Sequence, residues 1–211
     1  MTDRIPTASR VGWATIEAEH DCTEAEVVLG HPLLVGLLRR WQSLCQDGEP
    51  PRRDHDGIDA LILKPDVFPQ ISMVEGVERN GLRDLRYRMI GTALAHDIGS
   101  DAIGRYARDI LADPAYANEL IAAAYLTIDR RQPVAAIGRF VSADPASAPV
   151  VDYRLGLPLK KLASGTPLLL VCQLCVQDGR IVPRPVREGT VYEPTTIVAF
   201  VDRSLAGESE K

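Results

Sequence analysis

The chain has 211 residues, of which 45% are hydrophobic and 25% are charged, and this length is enough for a buried core. Its net charge of −5 argues against nucleic acid as the main partner, because phosphate binding depends on clustered Lys and Arg. The sequence contains no apolar run of membrane-spanning length, no signal-peptide pattern and only four cysteines, which predicts a cytoplasmic protein without a disulfide scaffold.

The clearest element of the N-terminal part is a helix predicted over residues 31–46, after an extension at residues 1–30 that carries little pattern. Pro32 suits the first position of a helix, and the apolar residues recur at intervals of three and four. This apolar stripe includes Leu34, Leu37, Leu38 and Trp41. It can cover a sheet face within the chain or across two chains, and we predict that it forms the contact of a homodimer.

A hairpin follows a polar linker. Residues 70–78 and 82–90 are predicted strands, and Asn80-Gly81 between them is a strong hairpin signal. Strict alternation in the second strand predicts that Tyr87 and Met89 share one face. A short helix is then expected over residues 93–98, ending at a glycine.

The second half of the chain is predicted to contain a long helix and three strands. Asp113-Pro114 is a good helix start, and the apolar face of this helix includes Ile121. Strands are expected over residues 134–143, 150–160 and 168–177, and residues 181–211 are predicted to be a C-terminal extension. The order of two strands, helices and three strands indicates an α+β fold.

The string YRMIGTALAHDIGSDAIGRY, at residues 87–106, resembles the signature of the alphaproteobacterial PAS-like domains. The positions that match are Tyr87, Arg88, Gly91, Thr92, Gly99, Gly104 and Arg105. The segments PPRRDHDGID and LGLPL are also similar, although His55 stands where the family favours an apolar or aromatic residue. The resemblance implies a PAS-like domain over residues 31–180, with a five-stranded antiparallel sheet and short helices on one face.

This resemblance implies a non-enzymatic sensory or interaction module of bacterial signal transduction, which binds a small molecule, a protein partner or both. The pocket it implies, between the sheet and the short helices, would be lined by Tyr87, Met89, Leu94, Ile121, Tyr125, Tyr153 and Leu155. Arg88 and Arg105 are candidates for contact with an anion or a partner's carboxylate, or for a salt bridge between strand and loop.

No catalytic residue, metal site or cofactor is predicted. Cys172 and Cys175 have the spacing of zinc and redox motifs, but they lie in a strand pattern, where residues three apart point to opposite faces. His96 could be a haem ligand on a PAS fold, but we interpret it as a surface or capping residue.

The alternative function is a small cone-shaped α+β enzyme of the isomerase or dehydratase type. Such an enzyme needs an Asp or His that points from a strand into the pocket. Alternation places Asp152, the acid at the centre of a strand, on the side opposite Tyr153 and Leu155. With those two residues assigned to the pocket, this placement favours the sensor.

Overall fold

The computed structural model describes residues 16–54, 56–99, 102–144, 146–185 and 190–201, with only the backbone at residues 56, 194 and 195. The helices in these residues are α1 (Ala25–Leu29), α2 (Pro32–Gln42), α3 (Asp56–Ile62), α4 (Thr92–Ile98), α5 (Ala107–Ile110) and α6 (Pro114–Arg130). The strands are β1 (Ala18–Asp21), β2 (Ile71–Arg79), β3 (Leu82–Ile90), β4 (Val134–Ser142), β5 (Val150–Leu159), β6 (Leu168–Gln177), β7 (Arg180–Val182) and β8 (Thr190–Val201). Among the described helices, none is long and apolar enough to cross a bilayer.

The described strands form one sheet in the order β1-β8-β4-β5-β6-β2-β3, with β7 paired to β6. The pairs are antiparallel except that β1 runs parallel to β8. The five strands predicted from the sequence are β2 to β6. The prediction of a five-stranded sheet is wrong, because β1, β7 and β8 come almost entirely from the segments predicted to be extensions. Their local patterns are weak, and β8 is placed by its pairing with β4.

The predicted hairpin is confirmed. Asn80 and Gly81 have φ angles of 55° and 74°, and β2 pairs with β3 on either side of them. Positive φ at both central residues is the geometry of a type I′ turn, which matches the twist of the flanking strands. Asp178 and Gly179 repeat the arrangement between β6 and β7, with φ angles of 50° and 74°.

Helices cover both faces of the sheet: those that follow β3 lie on one face, and the N-terminal helices lie on the other. We call the outer face the one that carries Leu155, Leu170 and Cys172, which pack in one core with residues of α1, α2 and α3. The inner face carries Tyr87 and Leu169, among others, and packs against residues of α4, α5 and α6. Because successive strand residues point to opposite faces, a sheet with two apolar faces needs a cover on each.

The stripe of α2 is part of the chain's own core. Leu34, Leu37, Leu38 and Trp41 are all buried against the outer face, and the Trp41 indole N–H donates to the Pro158 carbonyl oxygen at 2.9 Å. These side chains therefore cannot form the homodimer contact that was predicted for them. They already cover the apolar outer face of the sheet, and the formation of a homodimer as such stays a prediction.

An irregularity in the β2–β3 register separates Tyr87 from Met89. Met73 lies opposite Met89, but the next residue, Val74, lies opposite Tyr87, so Arg88 is bulged out of the pairing. Tyr87 consequently belongs to the inner core, whereas Met89 packs against the outer one. The prediction that the two share a face is wrong, because an extra residue in one strand shifts the alternation.

We expect Gly91→Ala to lower the free energy of unfolding by about 1–3 kcal/mol, the usual cost of overpacking. A β-carbon at Gly91 would overlap the backbone carbonyl of Phe68. The Gly91 N–H donates to the Ile71 oxygen at 2.7 Å, so the two backbone segments cannot easily move apart. Urea unfolding measures the change. The control is Gly36→Ala, at an exposed position inside α2 where a β-carbon meets nothing. It should stabilise the protein by about 0.5–1 kcal/mol, and equal stability of the Gly91 variant and the wild type would contradict the prediction.

Candidate functional site

A buried polar cluster lies on the inner face of β5, beneath α6. Its centre is Arg154, whose side chain is 3% exposed. Its Nη2 donates to Glu119 Oε1 at 2.6 Å and to the Tyr192 hydroxyl, and its Nε lies 3.0 Å from Asp152 Oδ2. The guanidinium group is therefore held between carboxylates from α6 and from its own strand.

The β5–β6 register supplies the next members of the cluster. Arg154 lies opposite Gln173, and Asp152 lies opposite Cys175. The Gln173 amide donates to Asp152 Oδ1 at 3.0 Å and to the Tyr116 hydroxyl at 2.6 Å, while the Cys175 thiol lies 3.8 Å from Asp152 Oδ1. Asp152 is thus engaged through both of its oxygens.

Tyr192 of β8 enters the cluster through a space left by a glycine. Its hydroxyl donates to Glu119 Oε1 at 2.8 Å. Gly138 of β4 lies directly beneath, and a β-carbon there would overlap the Tyr192 hydroxyl. The absence of a side chain at Gly138 therefore lets strand β8 contribute a hydroxyl group to a site formed mainly by β5 and α6.

Burial dominates the electrostatics of the cluster. It raises the pKa of Glu119 and of Asp152, although Arg154 acts in the opposite direction on both carboxyl groups. For Arg154, burial lowers the pKa, but Asp152 and the other acidic neighbours outweigh it and keep the guanidinium charged. Because a single positive guanidinium group lies between two buried carboxyl groups, the cluster favours the protonated form of the acids.

Some polar atoms of the cluster are buried without a hydrogen-bond partner in the described part of the chain. They include Arg154 Nη1 and Glu119 Oε2. Arg154 Nε and Asp152 Oδ2 also lack hydrogen-bond geometry, although they form the ion pair at 3.0 Å. Buried polar atoms without a hydrogen-bond partner destabilise the folded state unless a ligand or water binds them.

We expect Glu119→Gln to reduce the dependence of stability on pH. A carboxyl group with a raised pKa holds its proton more tightly in the folded state. The stability that it contributes is therefore fully present below the ordinary glutamate pKa, about 4.3. That stability is lost as the pH rises through the raised pKa of the folded state. Each unit of pKa shift corresponds to about 1.4 kcal/mol.

Urea unfolding between about pH 4 and pH 8 measures this slope. The Glu119→Gln variant should lose less stability than the wild type as the pH rises. The control is Glu78→Gln, at an exposed position on β2, which should leave the slope as it is in the wild type. A slope that is unchanged by Glu119→Gln would contradict the prediction.

A cavity of about 40 Å³ lies beside the cluster, between the inner face and helices α4 and α6. Its walls are mostly apolar, from residues that include Val74, Leu85, Leu94, Leu111, Leu120 and Val171. Its polar lining includes Tyr87, Tyr116, Arg154, Gln173 and Arg184. This volume holds water molecules or a very small ligand, and it is far below the roughly 300–1,000 Å³ of sites for drug-sized ligands.

Only some of the residues predicted to line the pocket line this cavity. Tyr87 and Leu94 line it. Ile121 and Tyr125 belong to the same inner core, although the Tyr125 hydroxyl is occupied by the Val77 carbonyl at 2.6 Å. Burial raises the pKa of Tyr87 to about 12, so its hydroxyl keeps its proton as a potential donor.

Met89, Tyr153 and Leu155 face the outer core, and their predicted place in the pocket is wrong. For Met89 the reason is the bulge at Arg88. Tyr153 and Leu155 do share one face of β5, as the alternation predicts. The cavity, however, lies on the opposite face. The apolar side of β5 packs against α2, and the side with Asp152 and Arg154 lies beneath α6.

Arg88 and Arg105 lie at the surface, away from the cavity lining. Arg88 Nε lies 3.3 Å from Glu75 Oε1, so its ion pair crosses to the neighbouring strand and does not reach the loop after α4. Arg86 binds the same carboxylate at 2.9 Å. A role for Arg88 and Arg105 in contact with an anion or a partner stays a prediction.

The two cysteines of β6 point to opposite faces, as predicted. Cys172 packs in the outer core and Cys175 in the inner one, and burial raises the pKa of both thiols. A single metal ion cannot bind both side chains across the sheet.

The residues that form the polar cluster were not identified from the sequence. A signal was present, since Asp152 and Arg154 interrupt an otherwise apolar strand and Glu119 lies next to the apolar face of its helix. Two charges of opposite sign on the same face of a buried strand indicate a buried ion pair. Tyr192 carried no comparable signal, because its strand was not predicted.

Together these features define a mixed α/β protein with one large sheet, several short helices and a small cavity lined by apolar side chains and a few polar ones. No protein-family model matches the chain, and no curated protein does either. The solved structure of a fungal LOV domain photoreceptor, described together with a conserved pathway that integrates blue-light and oxidative stress, is similar over 73% of this chain and 99% of that chain. The identity is 18% and the TM-score is 0.34.

Proposed function

We propose that this chain is a non-enzymatic, PAS-type sensory module that binds a small molecule in the cavity on the inner face of its sheet. The observation that carries the proposal is Arg154, a buried charged side chain that lines the cavity and has a donor nitrogen without a partner among the described residues. The resemblance of residues 87–106 to PAS-like domains supports the same function, since its Tyr87 and Leu94 both line the cavity.

The chemistry of the lining suits ligand binding. Apolar side chains surround a few polar groups, and this combination holds a ligand by burial and orients it by hydrogen bonds. The lining comes from the sheet, from α4 and α6, and from the segment after β7, so a bound molecule would contact several elements at once. Such contacts are the means by which a ligand can shift a conformational equilibrium.

The alternative of a cone-shaped enzyme meets a specific obstacle. Asp152 lies on the cavity side of the sheet, so its orientation no longer argues against catalysis. However, Asp152 does not line the cavity, and its oxygens contact Gln173, Cys175 and Arg154. A general base must reach the proton that it removes, and a carboxylate engaged in this way is better suited to hold Arg154 in place.

A sensor must also pass its signal to a partner protein or to a second copy of itself. The α2 stripe is buried within the chain, so this contact must use another surface. The exposed apolar side chains in the described residues include Val27, Leu63, Leu82, Ile103, Ile181 and Val191, which lie on different elements. Single exposed apolar residues are normal and do not identify the surface.

The test combines native mass spectrometry of the purified chain with thermal shift against a library of small metabolites. We expect a bound small molecule, or a library compound that raises the melting temperature. Ala124→Val narrows the cavity from α6 and should abolish that shift in a folded protein. Ala115→Val makes the same change at an exposed position of the same helix and should retain the shift. No bound molecule and no shift from any compound would refute the proposal.

A further inference from the structure

The unpartnered donors around the cavity indicate what kind of ligand it takes. Arg154 Nη1 and Arg184 Nε are both buried without a hydrogen-bond partner in the described ranges, and both side chains line the cavity. The cluster's unpartnered acceptors are Glu119 Oε2 and Asp152 Oδ2, and neither of these side chains is part of the lining. The polar atoms of the lining that are buried without a partner are therefore donors, and they need an acceptor.

Arg184 closes the cavity on the side of β7. The strand ends at Val182, and two residues later the Arg184 guanidinium lies 4.1 Å from the centre of the Tyr116 ring and 5.7 Å from that of Phe140. The same side chain lines the surface grooves beside His96 and Asp97. Arg184 thus stands between the cavity and the protein surface, held by aromatic rings.

Arg184 forms no ion pair with an acidic residue in the part of the chain that the structure describes. Asp97 also lines the cavity, and its Oδ1 lies 3.7 Å from His96 Nδ1, a contact that is an ion pair only when the histidine is protonated. Arg154 is different, because its Nη2 and Nε already contact carboxylates and only Nη1 is left over. The site consequently contains two guanidinium groups that differ. The Arg184 group has no carboxylate partner among the described residues, and the Arg154 group has one N–H group, at Nη1, without a hydrogen-bond partner.

Resting on the function proposed above, we propose that the ligand is a small monocarboxylate with a short apolar tail. Its carboxylate would accept from Arg154 Nη1 and Arg184 Nε, because carboxylate oxygens are the best-matched acceptors for guanidinium donors. Its tail would contact the apolar wall formed by residues such as Leu94 and Leu111. The cavity of about 40 Å³ restricts the tail to a short chain.

The experiment measures binding of propionate to the full chain by calorimetry and thermal shift. The comparison compounds are propionamide, which has the same size without charge, octanoate, which has a longer tail, and inorganic phosphate at equal ionic strength. We expect propionate to bind and to raise the melting temperature. Propionamide should bind at least about tenfold more weakly, since a hydrogen bond between charged groups corresponds to about that factor. Octanoate should bind more weakly because its tail is too long for the cavity, and phosphate should bind more weakly because it has no apolar tail.

Arg184→Gln tests the assignment without removing the buried ion cluster. It should weaken propionate binding about tenfold or more. The matched control is Arg180→Gln, which removes an exposed arginine of β7 and should leave binding unchanged. If both variants weakened propionate binding equally, the cause would be the general charge of the surface, and the proposal would be overturned. Unchanged propionate binding in Arg184→Gln would also overturn it.

Failure of this inference can be distinguished from failure of the proposed function. If a neutral compound binds in the cavity and propionate does not, the carboxylate class is wrong and the sensory function stands. Equal binding of phosphate and propionate would also overturn the carboxylate class. If no compound binds and native mass spectrometry shows no bound molecule, both proposals are wrong.

Discussion

Arg154→Met is expected to lower the free energy of unfolding by about 3–5 kcal/mol, the usual cost of removing one partner from a buried ion pair. The arginine side chain is 3% exposed, and its loss would leave Glu119 and Asp152 buried without a counter-charge. Burial already raises the pKa of both carboxyl groups, and their ionised forms would become more costly still. Urea unfolding at neutral pH measures the loss.

A combined variant separates this charge effect from simple loss of packing. Arg154→Met together with Glu119→Gln and Asp152→Asn removes the whole set of charges while keeping similar volumes. Because the combined variant leaves no buried charge without a counter-charge, it should recover most of the lost stability. A combined variant as unstable as Arg154→Met alone would show that the charges are not the cause.

Trp41→Ala is the second change with a large expected effect, about 3–5 kcal/mol for removal of a buried aromatic side chain. Trp41 is 6% exposed, and its indole N–H donates to the Pro158 carbonyl oxygen at 2.9 Å. The ring therefore connects α2 to the outer face of β5 both by packing and by a hydrogen bond. Chemical unfolding of the variant measures the cost.

Trp41→Phe provides the matched control, because it keeps an aromatic ring but removes the donor. It should cost about 1–3 kcal/mol, since the buried Pro158 oxygen loses its partner. Both losses should be independent of protein concentration, because the contact lies within one chain. A loss that depended on concentration would place Trp41 in a contact between chains and would contradict this packing.

The elements predicted most accurately were those with a strong local signal. The α6 helix, Pro114–Arg130, begins after an aspartate whose side chain accepts from the N–H groups of the first turn, and the β2–β3 hairpin is formed by Asn80-Gly81. These signals are local because a cap or a turn is formed by residues adjacent in the chain. The short α4 helix also ends at Gly99 as predicted, at a φ angle of 100°.

The candidate site could be predicted only in part, because it depends on contacts between distant residues. Tyr87 and Leu94 were identified, and both line the cavity. The bulge at Arg88 moved Met89 to the other face, and no local pattern indicated it. The guanidinium of Arg154 contacts Glu119, 35 residues away, and Tyr192, 38 residues away.

What the sequence by itself determined is the set of strands β2 to β6, the helices between them and the alternation along the strands other than β3, since spacing of apolar residues and turn chemistry are properties of neighbouring positions. Only the tertiary structure decided which face of β5 encloses the cavity. Alternation states that Asp152 and Tyr153 point to opposite sides, but it does not state which helix covers each side. That choice was made by packing: α2 buries the apolar side of β5 and α6 covers the charged side, so that Arg154 lies in the interior beside the cavity.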